Sequence, residues 1–359
     1  MNLVIAGGGT GGHLYPGVAL AQEFRRQAPA TRVTFIGARK GLETKVIPPL
    51  GFELITLPVK GVMGTGVGTG IWRGLSLLTS SLRVFFALGK LKPDLVIGVG
   101  GYASVPAVLA ASMRGVPRAI LEQNVMPGRA NRVLARFSQR IYQGFASRNE
   151  LFPTEKTMIT GNPIRPEVLP PPDIERPAGR KCLLILGGSQ GAKQINELAL
   201  VFVPGLKKRF PDLKVVHQTG ATHEAMVREG YGDAEGISVV PFITGMAEAY
   251  GSADLCLSRA GAMAVSELAA SGLPAVLIPY PTAAGGHQEL NARWFEERGG
   301  AILIPAGEAT PDLILEKISN LLGNPELLAE MSDFSRKAGV RNAAERVVEA
   351  ELERIGIRN

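Results

Sequence analysis

A chain of 359 residues is too long for a small stapled module and suits two domains or one large α/β unit, while 45% hydrophobic and 20% charged residues exclude wholesale disorder. The net charge of +7 is uneven: residues 1–165 carry 20 Lys and Arg against 7 Asp and Glu, or +13, and the remainder carries 19 against 25, or −6. A half that basic is expected to meet anionic partners, whether nucleic acid, acidic lipid or a phosphorylated substrate.

Residues 1–6 have no cationic n-region, and their apolar run is too short for a signal peptide. Short β-branched or Leu-rich runs follow at 3–6, 33–37, 95–98 and 119–122, then at 183–186, 215–218, 239–240, 255–258, 276–279 and 302–304, separated by longer amphipathic stretches. Such alternation predicts βα units and parallel sheets covered on both faces. Cys182 and Cys256 lie inside two of these runs, which suits buried free thiols in a reducing compartment better than a disulfide or a metal cluster. Between the two series Pro163, Pro166, Pro170, Pro171, Pro172 and Pro177 crowd one segment, the best linker candidate. The expected architecture is α/β, two Rossmann-like halves at 1–164 and 165–340 facing each other across a cleft, with a helix-like tail at 341–359.

The first strand runs into Gly7-Gly8-Gly9-Thr10-Gly11-Gly12, a G-x-G-x-x-G loop opening a helix, where main-chain N–H groups can approach an anion. The second strand ends in Ala38-Arg39-Lys40 without the acid that holds an NAD ribose, so an NADP-dependent oxidoreductase is the alternative reading. His13 stands at the helix start, where the neutral imidazole is favoured. It is either a proton acceptor or a locally satisfied cap. His217, within a strand-like run, reads as a core residue.

Residues 61–70 are half glycine, and beyond them Ile71, Leu75, Leu78, Leu82 and Phe85 fall on one helical stripe beside Trp72. No run of uncharged apolar residues there is long enough to span a bilayer. The stripe either packs on the core or lies against lipid, and flanking Lys60, Arg73, Arg83, Lys90 and Lys92 favour lipid. Arg129, Arg132, Arg136 and Arg140 are spaced as a second cationic helix face. Aromatics at 6% do not suit a single-strand stacking platform, so nucleic acid is not an expected partner.

In the second half the glycine loop returns as Gly187-Gly188-Ser189-Gln190-Gly191. Later a small-residue turn, Ser258-Arg259-Ala260-Gly261, opens a helix carrying Ser266 and Glu267. A carboxylate there can accept from two vicinal ribose hydroxyls while the helix N-terminus favours a diphosphate, or it is a solvated Glu on an ordinary helix. Gln288 and Asn291 at i,i+3 suit sugar hydroxyls.

With these motifs, the segments 98–104 (GVGGYAS), 122–124 (EQN), 161–165 (GNPIR), 217–220 (HQTG), 260–267 (AGAMAVSE) and 287–292 (HQELNA) run in the order of the MurG-type N-acetylglucosaminyltransferases of glycosyltransferase family 28, which the sequence resembles over most of its length. The resemblance implies a GT-B fold, with a lipid acceptor and membrane contact on the N-terminal domain, UDP-GlcNAc mainly on the C-terminal domain, and the tail crossing back to the first. The implied reaction is inverting transfer of GlcNAc to the 4-hydroxyl of MurNAc in lipid I, giving lipid II for peptidoglycan. By the same resemblance, His13, Glu122 and Tyr102 form the acceptor-side catalytic cluster, with His13 the first choice of base and Glu122 the second. Thr10, Gly11, Gly12, Asn124 and Gln288 meet the nucleotide sugar, Ile243 reads the uracil, and Glu267 holds the ribose. Ser189 and the turn of Ala262, Met263, Ala264, Val265 and Ser266 hold the diphosphate, with Arg165 adding positive charge. No Asp-x-Asp triplet is present to chelate a metal, so no obligatory metal or other cofactor is expected. Expected partners are UDP-GlcNAc, lipid I, the anionic cytoplasmic leaflet of the plasma membrane and other cell-wall synthesis proteins.

Overall fold

The computed structural model describes residues 1–39, 41–57, 67–146, 151–171, 181–188 and 191–357, with the backbone alone at 67–78 and 284. The chain divides into two compact units, Met1–Arg165 with Arg341–Asn359, and Pro166–Val340. The first holds seven strands, β1 Asn2–Ala6, β2 Arg32–Ala38, β3 Glu53–Leu57, β4 Leu95–Gly98, β5 Arg118–Glu122, β6 Arg140–Gln143 and β7 Thr157–Ile159, in the order β3-β2-β1-β4-β5-β6-β7. All pair in parallel. Its connecting helices are α1 Gly11–Gln27, α2 Glu43–Val46, α3 Val67–Leu91, α4 Ser104–Met113 and α5 Arg129–Leu134.

Strand β1 shows why the sheet is two-sided. Leu3 and Ile5 point into one core with Leu14, Val18 and Phe24 of α1, while Val4 and Ala6 point into another with Val84 and Leu88 of α3 and Ala107 of α4. A strand buried on both faces must be apolar throughout, and that made β1, β4 and β5 visible in the sequence. The strands β3, β6 and β7 were not anticipated. They lie toward the sheet's edges, and each carries only two or three apolar residues among polar ones.

The second unit holds β8 Cys182–Leu186, β9 Lys214–Gln218, β10 Ile237–Val240, β11 Leu255–Ser258, β12 Ala275–Leu277 and β13 Ala301–Leu303, in the parallel order β10-β9-β8-β11-β12-β13. Its helices are α6 Lys193–Arg209, α7 Glu224–Tyr231, α8 Met246–Ser252, α9 Ala262–Ala270, α10 His287–Glu296, α11 Pro311–Gly323 and α12 Pro325–Ala338. Helix α13, Ala343–Arg354, then returns to the first unit, where Val347, Val348 and Leu352 join the α1 core. Cys182 and Cys256 are buried free thiols, and burial pushes Cys182 up to about 11.

Each sheet reverses strand order once, between β1 and β4 and between β8 and β11. In open parallel sheets the loops leaving the strands at such a reversal splay apart and make a ligand crevice. The motif loops at 7–10 and 99–102 leave one reversal, and those that open at 187–188 and at 259–261 leave the other.

Candidate active site

At the first reversal, Gly8 (φ +126°) leaves room for Glu43, whose carboxylate would lie 2.3 Å from any Cβ placed there. Glu43 is 1% exposed, and its Oε1 accepts the N–H groups of Gly9 at 2.8 Å and Ala38 at 3.2 Å. The Gly9 N–H therefore points back to a carboxylate, not out to an anion. That takes one main-chain donor of the loop away from the phosphate site on which the NADP reading depends. Glu43 lies five residues beyond the end of the second strand, and only its fold-back on α2 brings it under the glycines.

Thr10 is the N-cap of α1, and Gly11, Gly12 and His13 form the first helical turn. The half-buried His13 has its Nδ1 3.1 Å from Oε1 of Gln123. Its ring lies against Gly100 (φ +91°), where a Cβ would come within 2.7 Å of Nδ1. Tyr102, two residues on, is 53% exposed. Arg165 closes this unit with its guanidinium 4.1 Å from the Tyr15 ring centre, so it stands beside α1 and not within the second unit, to which the expected boundary assigned it.

Glu122 stands differently from the expected alternative base. It is 1% exposed, and its Oε1 accepts from the main-chain N–H (2.9 Å) and side-chain amide (3.2 Å) of Asn124. Its Oε2 accepts from the Gly128 N–H (3.0 Å) and the Asn131 amide (2.8 Å). Four donors occupy the carboxylate, which ties the loop after β5 to the start of α5. Its place is that of a loop organiser that presents Asn124.

In the second unit, the turn after β11 ends at Gly261, the N-cap of the nine-residue α9, whose first N–H groups have no acceptor within the helix. Ala262, Met263, Val265 and Ser266 are largely buried, and Ala264 and Glu267 are half-buried. The buried Tyr250 hydroxyl of α8 donates to Glu267 Oε2 at 2.9 Å. Burial and the neighbouring carboxylate hold that phenol well above its ordinary pKa, so it stays a donor. Arg259 donates to the main-chain oxygens of Ile278 (3.2 Å) and Pro279 (3.0 Å), which ties the turn after β11 to the segment after β12. Burial lowers its pKa.

Gln288 accepts the Tyr280 N–H at 2.9 Å through Oε1, which turns its NH₂ toward other partners. Asn291 is instead fully buried, with its amide donating to Ala260, so it braces the turn and does not offer itself to sugar hydroxyls. Ile243 is half-buried just after β10, and Ser189 lies outside the described residues. His217 is buried between Tyr231 and Asn196 (3.1 and 3.0 Å), a core residue as read, and burial lowers it to about 4. Among the described residues no group of three or more His, Cys, Asp or Glu could hold a metal.

Of the stripe on α3, Leu82 is 46% exposed together with Phe86 at 66%, while Phe85 packs partly into the core beneath Arg114. Phe85 is therefore withdrawn from the outward face, because Ser80, Val84 and Leu88 set the buried side of this helix. The side chains of Ile71, Trp72, Leu75 and Leu78 lie outside the described residues. The second cationic row does not form one helix face: α5 ends at Leu134, and Arg140 opens β6.

The residues missed by sequence reading, Glu43, Gln123, Tyr250 and Arg259, all act on a partner distant in sequence or inside a turn. Gln123 and Arg259 carried a signal, the first between Glu122 and Asn124 and the second in the turn at 258–261, both motifs already singled out.

Residues 3–143 match the glycosyltransferase family 28 N-terminal domain, and residues 182–347 match the glycosyltransferase family 28 C-terminal domain. The chain is 41% identical over 353 residues to the UDP-N-acetylglucosamine--N-acetylmuramyl-(pentapeptide) pyrophosphoryl-undecaprenol N-acetylglucosamine transferase of Syntrophus aciditrophicus, covering 98% of both. It is 41% identical to the protein of the same name from Thermodesulfovibrio yellowstonii, covering 97% of both. Its structure aligns with that of Acinetobacter baumannii MurG at a TM-score of 0.80 and 29% identity, over 98% of this chain and 99% of the other. A UDP-GlcNAc 2-epimerase from Neisseria meningitidis shares the fold alone, with a TM-score of 0.70 at 16% identity over 98% and 99% of the two chains. With both halves matched in order and relatives alike from end to end, the chain belongs to glycosyltransferase family 28.

Proposed function

We propose that this enzyme transfers GlcNAc from UDP-GlcNAc to the 4-hydroxyl of MurNAc in lipid I, forming lipid II with inversion at the sugar carbon. The observation that carries the reading is the full-length similarity to relatives named for this transfer. In a single displacement the acceptor oxygen attacks the anomeric carbon as UDP leaves, and one base must take its proton. His13 is that base, since the other candidate, Glu122, is saturated by four donors. Charge gathering on the leaving diphosphate is met by the N-terminal N–H groups of α9, which act without a metal. Glu267, steadied by Tyr250, takes the ribose hydroxyls, Ile243 the uracil through its main chain, and the NH₂ of Gln288 the sugar.

The protein works peripherally at the cytoplasmic face of the plasma membrane, where its acceptor lies. Three features support this: the +13 balance of residues 1–165, the outward Leu82 and Phe86, and the lack, among the described residues, of a helix long and apolar enough to cross a membrane. The test is incubation with UDP-GlcNAc and a short-chain lipid I analogue, with and without chelator. Disaccharide product from the wild type in both conditions and none from His13→Ala is expected. Product formed at the wild-type rate by His13→Ala overturns the assignment of the base.

A further inference from the structure

We infer that Gln123 is a positioning residue that holds His13 in the Nδ1-protonated tautomer and so makes Nε2 its basic nitrogen. The inference deepens the reading of His13 as base and rests on it for its kinetic consequence. Gln123 is 1% exposed at the end of β5, and its Nε2 lies 2.9 Å from the carbonyl oxygen of Val99. A carbonyl oxygen only accepts, so the NH₂ end of the amide must face Val99. The other end, Oε1, therefore faces His13 Nδ1 at 3.1 Å, and an amide oxygen also only accepts. The hydrogen on that contact must belong to Nδ1. A neutral imidazole carries one N–H, so the lone pair is at Nε2.

Every link in this chain is braced. The Val99 N–H donates to Ala6 (2.8 Å), which fixes the Val99 carbonyl to the β1–β4 pairing. The Gln123 main-chain oxygen accepts from the buried Asn162 amide at 2.9 Å. The imidazole rests on Gly100, where a Cβ would intrude. A carboxylate at position 123 would orient the ring and also stabilise its cation. An amide orients it alone, which leaves the proton easier to pass on.

Long-range ¹H–¹⁵N correlation spectra of the labelled protein, recorded where the imidazole is neutral, test this directly. His13→Asn identifies the signal among the four histidines. The expected spectrum has Nδ1 protonated and Nε2 of the pyridine type; a wild-type ring protonated at Nε2 overturns the inference. Gln123→Met, similar in length but without an acceptor, is expected to lose the Nδ1–H signature and about ten- to a hundredfold in kcat, with the KM for UDP-GlcNAc within about twofold. Gln123→Glu, which still accepts from Nδ1, is expected to keep the signature. An unchanged tautomer in Gln123→Met also overturns it. Activity retained by His13→Ala defeats instead the reading of His13 as base, and the spectra report the tautomer either way.

Discussion

Two carboxylates, Glu122 at the end of β5 and Glu267 on α9, have opposite duties, and their neighbours assign them. Glu122 is filled by four N–H donors, whereas Glu267 is half-buried with one oxygen steadied by Tyr250. Replacing Glu122 by Gln sets an NH₂ against N–H donors on one side. About 2 kcal/mol of stability should be lost, read as a lower Tm, while the pH dependence of kcat keeps its shape because no base has been removed. A base at this position would instead lose the acidic limb. Tyr250→Phe leaves Glu267 in place but removes the hydroxyl that donates to its Oε2, so the KM for UDP-GlcNAc should rise about tenfold with kcat nearly unchanged, and discrimination against 2′-deoxy-UDP-GlcNAc should shrink. Glu267 was legible in the sequence because it sits in a local pattern, a small-residue turn opening a helix. Tyr250 was not, because 17 residues of chain separate it from the group it serves.

At the scale of elements, what is legible is what is buried on both faces. Strands β1, β4, β5, β8 and β11 announce themselves as apolar runs, but β7 has only Met158 and Ile159 between Thr157 and the loop, and no periodicity marks it. The spacing of Arg129, Arg132, Arg136 and Arg140 fits a helix, yet the chain turns at residues 135–137 and delivers Arg140 to β6, where pairing with β5 outweighs local helical preference. His217 shows the same dominance of context in β9, because α6 and α7 enclose it as a neutral ring. Its folded pKa near 4 lies below the ordinary 6.5, so between these values the unfolded chain binds the extra proton. Its contribution is intact above pH 6.5 and is lost as pH falls toward 4, by about 3 kcal/mol in all. Denaturant titrations from pH 7 to pH 4 should show this slope, reduced in His217→Gln. On α3, Leu82 and Phe86 stand one turn apart on the outward side. The double variant Leu82→Glu with Phe86→Glu should stay folded and bind UDP-GlcNAc normally, but sediment less with vesicles containing anionic lipid. Unchanged sedimentation would remove this face from the membrane contact.

Across the whole molecule, the two units are unequal in charge and in the way their cores are closed. The returning tail from residue 341 carries four basic and four acidic residues, so the first unit keeps its +13 and the second its −6. What the tail supplies is apolar surface and one buried hydrogen bond. Val347, Val348 and Leu352 complete the core over α1, and Glu351, fully buried, accepts from the Tyr142 hydroxyl at 2.7 Å while pairing with Arg354. Removing three buried side chains of this size costs about 1.5–3 kcal/mol each, and the Tyr142 hydroxyl is left without its partner. That loss is comparable with the entire stability of an ordinary domain, about 5–15 kcal/mol. The core cluster of the second unit is built within residues 183–331. Truncation after Val340 should therefore unfold the first unit selectively. Hydrogen exchange should show β1, β4 and β5 losing protection while β8, β9 and β11 keep it, and uniform protection in the truncated chain would show that the first core stands without α13.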